Sequence, residues 1–159
     1  MHTTKMLGVF MLICSLLISC STDQEDDNTI DQEQLDALTG TYNLIAYQVS
    51  PAQDLNGDGT TSENLLDEIN CITGTLTLNN DFGWSMSFAN PLITEITNDT
   101  FAVSCSPASN SSGSWSFLND EVVLLVLGEP VSYQLDGDTL TQTNGENLPG
   151  FRSVVFQKQ

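Results

Sequence analysis

The residues best suited to chemistry in this 159-residue chain form a short acidic loop. Asp54, Asn56 and Asp58 place oxygen-bearing side chains at alternate positions, and a glycine follows them. Calcium takes several oxygen ligands from a sharply turning backbone, and this spacing is that of the first half of an EF-hand-type loop. The twelfth position, where such loops carry a bidentate Glu, is Leu65. The motif therefore predicts at most a weak calcium site.

The ligand missing from this loop would have to come from the short helix that the sequence predicts over Glu63–Ile69. Asp67 and Glu68 are the carboxylates that could fold back from it. Without them, the motif is an Asp/Asn/Gly turn that leads into the helix. Calcium is the one cofactor that the sequence suggests, and both alternatives stay open.

Catalytic constellations are missing from the sequence. The single histidine is His2, so triad, Cys-His and His-metal chemistries are unavailable once the N-terminal segment is removed. Arg152 and Lys158 lie at the end of the chain. No carboxylate pair is marked out by its context for glycoside hydrolysis. We predict that the protein is not an enzyme.

Residues 1–19 are predicted to be a signal peptide. Lys5 and His2 give a basic start, and Met6–Ile18 is apolar apart from a glycine and a serine. This run is too short for an ordinary transmembrane helix and has the length of a signal-peptide core. The Leu-Ile-Ser-Cys sequence that ends at Cys20 resembles the lipobox of bacterial lipoproteins. The resemblance implies cleavage before Cys20 and lipidation of its thiol.

Acidic residues dominate the charge of the chain. There are 21 of them against three Lys and Arg residues, for a formal net charge of −18. Nucleic acid is excluded as a partner, because binding it requires cations that neutralise phosphates. Anionic headgroups are disfavoured for the same reason, so the lipid on Cys20 must supply the attachment to the membrane.

Residues 20–37 are predicted to be an acidic, disordered tether. They contain almost no apolar side chain that could offset the entropy of ordering, and only Asp31–Leu38 suggests a helical turn. The acids at Asp23, Glu25, Asp26 and Asp27 resemble the export signal of some Gram-negative lipoproteins. That resemblance implies an outer-membrane lipoprotein exposed at the cell surface.

Two cysteines remain for the domain after the signal peptide and the lipid are accounted for. Cys14 would be removed and Cys20 lipidated, which leaves Cys71 and Cys105 in an oxidising compartment. A disulfide between them is predicted. Zinc is the weaker alternative, because it takes four ligands and the mature chain has no histidine.

Residues 38–159 show the period-two pattern of an all-β domain. Apolar and small polar residues alternate without a miss over Phe82–Phe88, and similar runs recur between hairpin-type turns. Closely spaced strands of this kind predict a small antiparallel meander, closed as a barrel or folded as a sandwich. Val122–Leu127 is continuously apolar, which predicts a strand covered on both faces. We also predict a strand over Leu92–Ile96, because one more reversal of the chain direction brings Cys105 back towards Cys71.

The opening Gly40-Thr-Tyr-Asn-Leu and the later Gly113-Ser-Trp-Ser-Phe, with the strands that follow it, resemble lipocalin-like lipoproteins. The final strand, Phe151–Phe156, is similar as well. The pattern departs at Tyr42, where the family prefers Trp, and in an insertion over residues 51–70 that holds the short helix. The resemblance implies a lipocalin-like barrel with an apolar interior that sometimes holds a ligand, whereas a β-sandwich is the alternative fold.

The candidate cavity residues are four aromatics, Tyr42, Trp84, Phe88 and Trp115, although aromatic residues also fill the core of small barrels.

The function expected is that of a lipid-anchored cell-envelope lipoprotein whose domain binds a small apolar or neutral ligand. The alternative is a surface carbohydrate- or protein-binding module that uses exposed aromatics. Burial of Trp84 and Trp115 favours the barrel, and their exposure in a row favours sugar binding.

Overall fold

The computed structural model describes residues 30–97, 100–143 and 151–159, and within these ranges the chain is almost entirely β. The predicted signal peptide and Cys20 lie outside the described residues. In chain order the elements are α1 (Gln32–Leu38), β1 (Gly40–Gln53), β2 (Ser62–Asn64), α2 (Leu65–Glu68), β3 (Gly74–Leu78), β4 (Gly83–Phe88), β5 (Pro91–Thr97), β6 (Thr100–Cys105), β7 (Ser109–Leu118), β8 (Glu121–Val126), β9 (Glu129–Asp136), β10 (Thr139–Thr143) and β11 (Ser153–Lys158).

Eight strands of the described chain close into an antiparallel barrel. Their order is β1, β3, β4, β7, β8, β9, β10 and β11, and β11 pairs back onto β1 with Tyr42 opposite Lys158 and Leu44 opposite Phe156. Closure removes the free edges that a sandwich would keep. The predicted all-β barrel is therefore confirmed, and the sandwich alternative is wrong.

The barrel interior takes alternate residues of each strand, as the period of a β-strand requires. On β8, Val122 and Leu124 are fully buried, whereas Leu125 is 46% exposed. Leu127, in the turn after β8, is fully exposed. The prediction that Val122–Leu127 is covered on both faces is thus wrong, because a single-layered barrel wall has only one inner face.

A two-stranded hairpin of β5 and β6 stands apart from the barrel sheet. The chain leaves the barrel after β4 and returns in β7, which pairs with β4 along its whole length. The disulfide between Cys71 and Cys105 ties the end of this hairpin to the segment before β3, with Cα atoms 6.0 Å apart. Both the disulfide and the strand predicted over Leu92–Ile96 are confirmed.

The helix α1 covers the stretch where the sequence suggested a helical turn, Asp31–Leu38, and all but its last residue falls in the segment predicted as tether. Asp31 caps it, accepting a 2.7 Å hydrogen bond from the backbone N–H of Gln34, whose side chain in turn accepts one from the Asp31 N–H. Leu35 and Leu38 are buried in the barrel core. The ordered structure therefore begins before the predicted boundary at Leu38, because two leucines at helical spacing supply the apolar face that the helix needs.

The insertion after β1 contains the predicted short helix in a shorter form. The helix α2 covers Leu65–Glu68, and Asn64 caps it by accepting a hydrogen bond from the Leu66 N–H. The preceding residues, Ser62–Asn64, form β2, which pairs with the second half of β1. Through β2 and α2 this insertion is held against the second half of β1, with Leu65 buried in the hydrophobic core, whereas residues 56–61 are exposed.

Candidate functional site

A cavity of about 330 Å³ occupies one end of the barrel interior. It lies where β4 and β8 end and β9 begins, at the end opposite to α1. Thirteen of the described residues line it: Tyr47, Trp84, Met86, Phe88, Asn90, Ser111, Val126, Val131, Tyr133, Gln142, Phe151, Val154 and Phe156. None of them carries a formal charge, so the cavity is suited to uncharged ligands.

Strand alternation explains why these side chains point inward. Trp84, Met86 and Phe88 are successive inward positions of β4, and Val154 and Phe156 are those of β11. The Phe88 ring lies across β3 at Gly74, where an added Cβ would come within 2.6 Å of the ring. Gly74 therefore leaves the space that the Phe88 ring occupies.

Five aromatic rings form a continuous chain along the cavity. The ring centroids of Phe151 and Tyr47 are 5.2 Å apart, and those of Tyr47 and Phe88 are 6.5 Å apart. The chain continues from Phe88 to Phe156 at 6.3 Å and from Phe156 to Tyr133 at 6.2 Å. These separations lie in the range of favourable aromatic pairs. We call these five residues the aromatic belt.

Two tyrosines of the belt carry hydroxyls into this apolar setting. Tyr47 and Tyr133 are 6% and 4% exposed, and neither hydroxyl has a hydrogen-bond partner among the described residues. Burial raises the pKa of Tyr133 to about 12 and also raises the pKa of Tyr47. Both hydroxyls are therefore neutral at physiological pH and can donate as well as accept a hydrogen bond.

The indole of Trp84 is a third polar group at the cavity. Its Nε1 is buried and has no hydrogen-bond partner in the described part of the chain. A Cβ at Gly113, opposite Trp84 on β7, would lie 2.9 Å from this nitrogen and 2.5 Å from the carbonyl oxygen of Leu125. The glycine thus makes room for the indole against the barrel wall.

Two of the four predicted cavity residues line the cavity and two do not. Trp84 and Phe88 belong to its lining. Tyr42 lies at the opposite end, where its hydroxyl donates a 2.7 Å hydrogen bond to the Leu38 carbonyl. Trp115 is 3% exposed, and its Nε1 donates to the Asn79 carbonyl at 3.1 Å. Tyr42 and Trp115 are therefore core residues rather than cavity residues.

Sequence reasoning missed four members of the aromatic belt: Tyr47, Tyr133, Phe151 and Phe156. The alternation of Val131 with Tyr133 on β9 already indicated one inward face. Alternation alone cannot distinguish the open end of a barrel from its filled end. That distinction depends on which strand ends meet, and the strand register decides it.

The predicted calcium loop folds onto its own backbone. Asp54 accepts hydrogen bonds from the N–H groups of Gly57 and Gly59, at 2.8 and 3.0 Å. Asn56 accepts one from the Asp58 N–H at 2.8 Å, and Asp58 accepts one from the Thr60 N–H at 2.7 Å. These bonds are those of an Asx-type turn, and they orient all three predicted ligands within one loop.

The carboxylate that folds back from α2 reaches the backbone of this loop. Glu68 is 7% exposed and accepts hydrogen bonds from the N–H groups of Leu55 and Asn56, at 2.9 and 3.3 Å. Asp67 instead accepts a 2.9 Å hydrogen bond from the Ser62 hydroxyl. Leu65, at the twelfth position, is fully buried in the core. The loop thus has several of the oxygen atoms that a calcium ion needs, but it lacks the bidentate carboxylate at the twelfth position.

No described residues form a group of three or more His, Cys, Asp or Glu side chains with an arrangement that would hold a metal. In the same ranges, no helix is long and apolar enough to cross a membrane. The predicted lipidation site and the acids at residues 23–27 lie outside the described residues. Comparison of the chain with protein-family models, with curated proteins and with solved structures found no match.

Proposed function

We propose that this chain is a lipid-anchored lipoprotein of the bacterial cell envelope that binds a small apolar or neutral ligand. The ligand occupies the cavity of a lipocalin-like barrel, and the membrane is reached through the lipid on Cys20. The protein is an outer-membrane lipoprotein whose domain is exposed at the cell surface. The binding function is carried by one observation, the uncharged cavity at the barrel end.

The size and chemistry of the cavity support this function. Its volume of about 330 Å³ lies at the lower end of the range of small-molecule sites. Ten of its thirteen lining residues are aromatic or aliphatic, and the other three are Asn90, Ser111 and Gln142. A charged ligand would lose its hydration there without a countercharge, so uncharged ligands are favoured.

The alternative of carbohydrate binding by exposed aromatics has weaker support. Trp84 and Trp115 are 2% and 3% exposed, so neither is available at the surface for a sugar ring. The most exposed apolar residues of the described chain are aliphatic, namely Leu92, Ile96 and Leu127. Aliphatic side chains lack the ring faces that stack on sugars, and the cavity is the better candidate site.

A pair of fluorescent probes tests the proposal. N-phenyl-1-naphthylamine is neutral, and 1-anilinonaphthalene-8-sulfonate has the same ring system with an added sulfonate. We expect the neutral probe to bind the full-length protein with one saturable site and the sulfonate to bind at least about tenfold more weakly. Equal or tighter binding of the sulfonate would contradict a site for neutral ligands.

Matched variants on β8 locate the probe. Val126 lines the cavity, whereas Val123 lies on the outer face of the same strand and is also half-buried. Val126→Phe adds volume inside the cavity and is expected to weaken probe binding about tenfold, whereas Val123→Phe is expected to leave it unchanged. Equal effects of both substitutions would place the probe elsewhere.

A further inference from the structure

The hydroxyls of Tyr47 and Tyr133, two residues of the cavity lining, differ from the hydroxyl of Tyr42 in their hydrogen bonding. Tyr42 is as deeply buried as they are, and its hydroxyl donates to the Leu38 carbonyl. The hydroxyls of Tyr47 and Tyr133 have no partner among the described residues, although both side chains are more than nine-tenths buried. Among the described residues, Trp84 Nε1 is the one fully buried polar side-chain atom without a partner, so the two tyrosine oxygens themselves remain accessible and are free to bind a ligand.

The aromatic belt sets this end of the barrel apart from the closed end. At the closed end, the fully buried residues Leu76, Leu78 and Leu140 surround a single tyrosine, Tyr42. Six of the thirteen cavity residues are aromatic, which exceeds the four aliphatic ones. Ring edges and faces pack best against other flat rings, whereas an acyl chain is accommodated equally well by leucines. The lining therefore favours a ligand that contains rings.

We propose that the ligand is a neutral, ring-containing molecule with a hydroxyl or carbonyl oxygen, held by the hydroxyls of Tyr47 and Tyr133 within the aromatic belt. This inference rests on the proposed function of the cavity and specifies the chemical class of its ligand. A hydroxyl or a carbonyl fits because each tyrosine hydroxyl can donate to an oxygen.

A ring-containing carboxylate is the nearest competitor, since two hydroxyl donors also suit an anion. The described residues of the cavity lining include no Lys or Arg, and the chain as a whole carries a net charge of −18. Arg152, next to Phe151 in the chain, is exposed and is not part of the lining. An anion would therefore be desolvated without a cation and repelled by the field of the protein.

Three pyrene derivatives separate these possibilities by fluorescence titration of the full-length protein. Pyrene has only the rings, 1-pyrenemethanol adds a hydroxyl, and 1-pyrenecarboxylate adds a charge. We expect 1-pyrenemethanol to bind most tightly and 1-pyrenecarboxylate most weakly. The linear alcohol 1-dodecanol should displace 1-pyrenemethanol poorly, because it has a hydroxyl but no ring.

Phenylalanine substitutions test the two hydroxyls and keep the rings. In Tyr47→Phe and in Tyr133→Phe, the affinity for 1-pyrenemethanol should fall by about two- to tenfold, as the loss of one hydrogen bond implies. The affinity for pyrene should stay the same. Tyr42→Phe is the matched control and should change neither affinity. Melting curves of all three variants confirm that they fold.

Several results would overturn the inference. They are an equal loss of pyrene and 1-pyrenemethanol affinity in the variants, tighter binding of the carboxylate, or efficient displacement by 1-dodecanol. If N-phenyl-1-naphthylamine binds in the cavity while the pyrenes do not, only this inference fails. If none of the probes binds, the proposed function fails with it.

Discussion

The hydroxyl of Tyr42 donates a 2.7 Å hydrogen bond to the carbonyl oxygen of Leu38, the last residue of α1. Carbonyls at the end of a helix have no partner within the helix, and this one lies beside the barrel core. The Lys158 ammonium donates to the neighbouring Ala37 carbonyl. The first and last strands of the barrel thus both bind the end of α1, which covers the closed end of the barrel.

Removing the Tyr42 hydroxyl is expected to destabilise the domain. Tyr42→Phe leaves the Leu38 carbonyl without its tyrosine partner and should lower the free energy of unfolding by about 1–2 kcal/mol. Tyr133→Phe is the matched control, since its hydroxyl has no partner among the described residues. It should change stability little. Urea denaturation of both variants measures the difference, and equal losses would contradict a structural role of the Tyr42 hydrogen bond.

Alkaline pH is expected to destabilise the fold between about pH 10 and 12. Burial, together with the charge of Asp138, raises the pKa of Tyr42 to about 12, and burial raises that of Tyr133 to about 12. Both start from an ordinary value of 10.0. In this window the unfolded chain has lost protons that the folded chain still holds, so unfolding becomes more favourable as pH rises. Below pH 10 the contribution to stability is complete.

Tyrosinate absorbance during an alkaline titration measures this shift directly. The folded protein should ionise its tyrosines well above the midpoint seen in denaturant. Coincident titration of the folded and denatured protein would contradict the buried environment of these side chains. Tyr133→Phe should reduce the fraction of late-titrating tyrosine.

The disulfide is expected to contribute about 3–4 kcal/mol to stability. Cys71 and Cys105 are 34 residues apart in sequence, and closing a loop of that length restricts the unfolded chain. Reductant should therefore lower the melting temperature by at least several degrees. The double variant Cys71→Ser/Cys105→Ser should melt at the reduced value, and reductant should not change it further. Two alkylated cysteines in the denatured, unreduced domain would contradict the bond.

Calcium is expected to bind the Asp54 loop weakly, with a dissociation constant on the order of 10⁻⁴ M or weaker, because the bidentate ligand is missing. At millimolar calcium the stabilisation should be about 1 kcal/mol. Thermal melts with calcium and with chelator measure it. Asp54→Ala/Asp58→Ala should abolish the shift, and Glu95→Ala/Glu129→Ala should keep it. No shift in the unmodified protein would identify the motif as a turn only.

Cys20→Ala is expected to abolish lipidation and to leave the protein unprocessed or soluble. The lipobox resemblance requires the thiol at this position, and labelling of cells with a radioactive fatty acid reports its acylation. Cys14→Ala is the matched control, because that cysteine lies in the segment expected to be removed. Normal incorporation of label into the Cys20→Ala protein would rule out the proposed anchor.

Much of the barrel could be predicted from local patterns. The alternation over Phe82–Phe88 predicted β4 almost to the residue, because a strand that separates core from solvent must alternate. The pair of cysteines left for the domain predicted the disulfide, and the need to bring Cys105 back to Cys71 predicted β5. These predictions succeeded because they depend on side-chain period and on composition, which are local properties.

Long-range pairing decided the rest. Whether the sheet closes depends on β11 reaching β1 across the whole domain, and no local pattern specifies that contact. The same closure determined that Trp84 and Phe88 face a cavity while Tyr42 and Trp115 fill core. It also brought Tyr47 and Tyr133 to the cavity, where their hydroxyls have no hydrogen-bond partner among the described residues. Sequence alone determined the inward face of the strands whose residues alternate, such as β4, because a two-residue period separates core from solvent. Only the register of the closed barrel determined the inner face of the continuously apolar β8, which inward residues meet and which leave space between them.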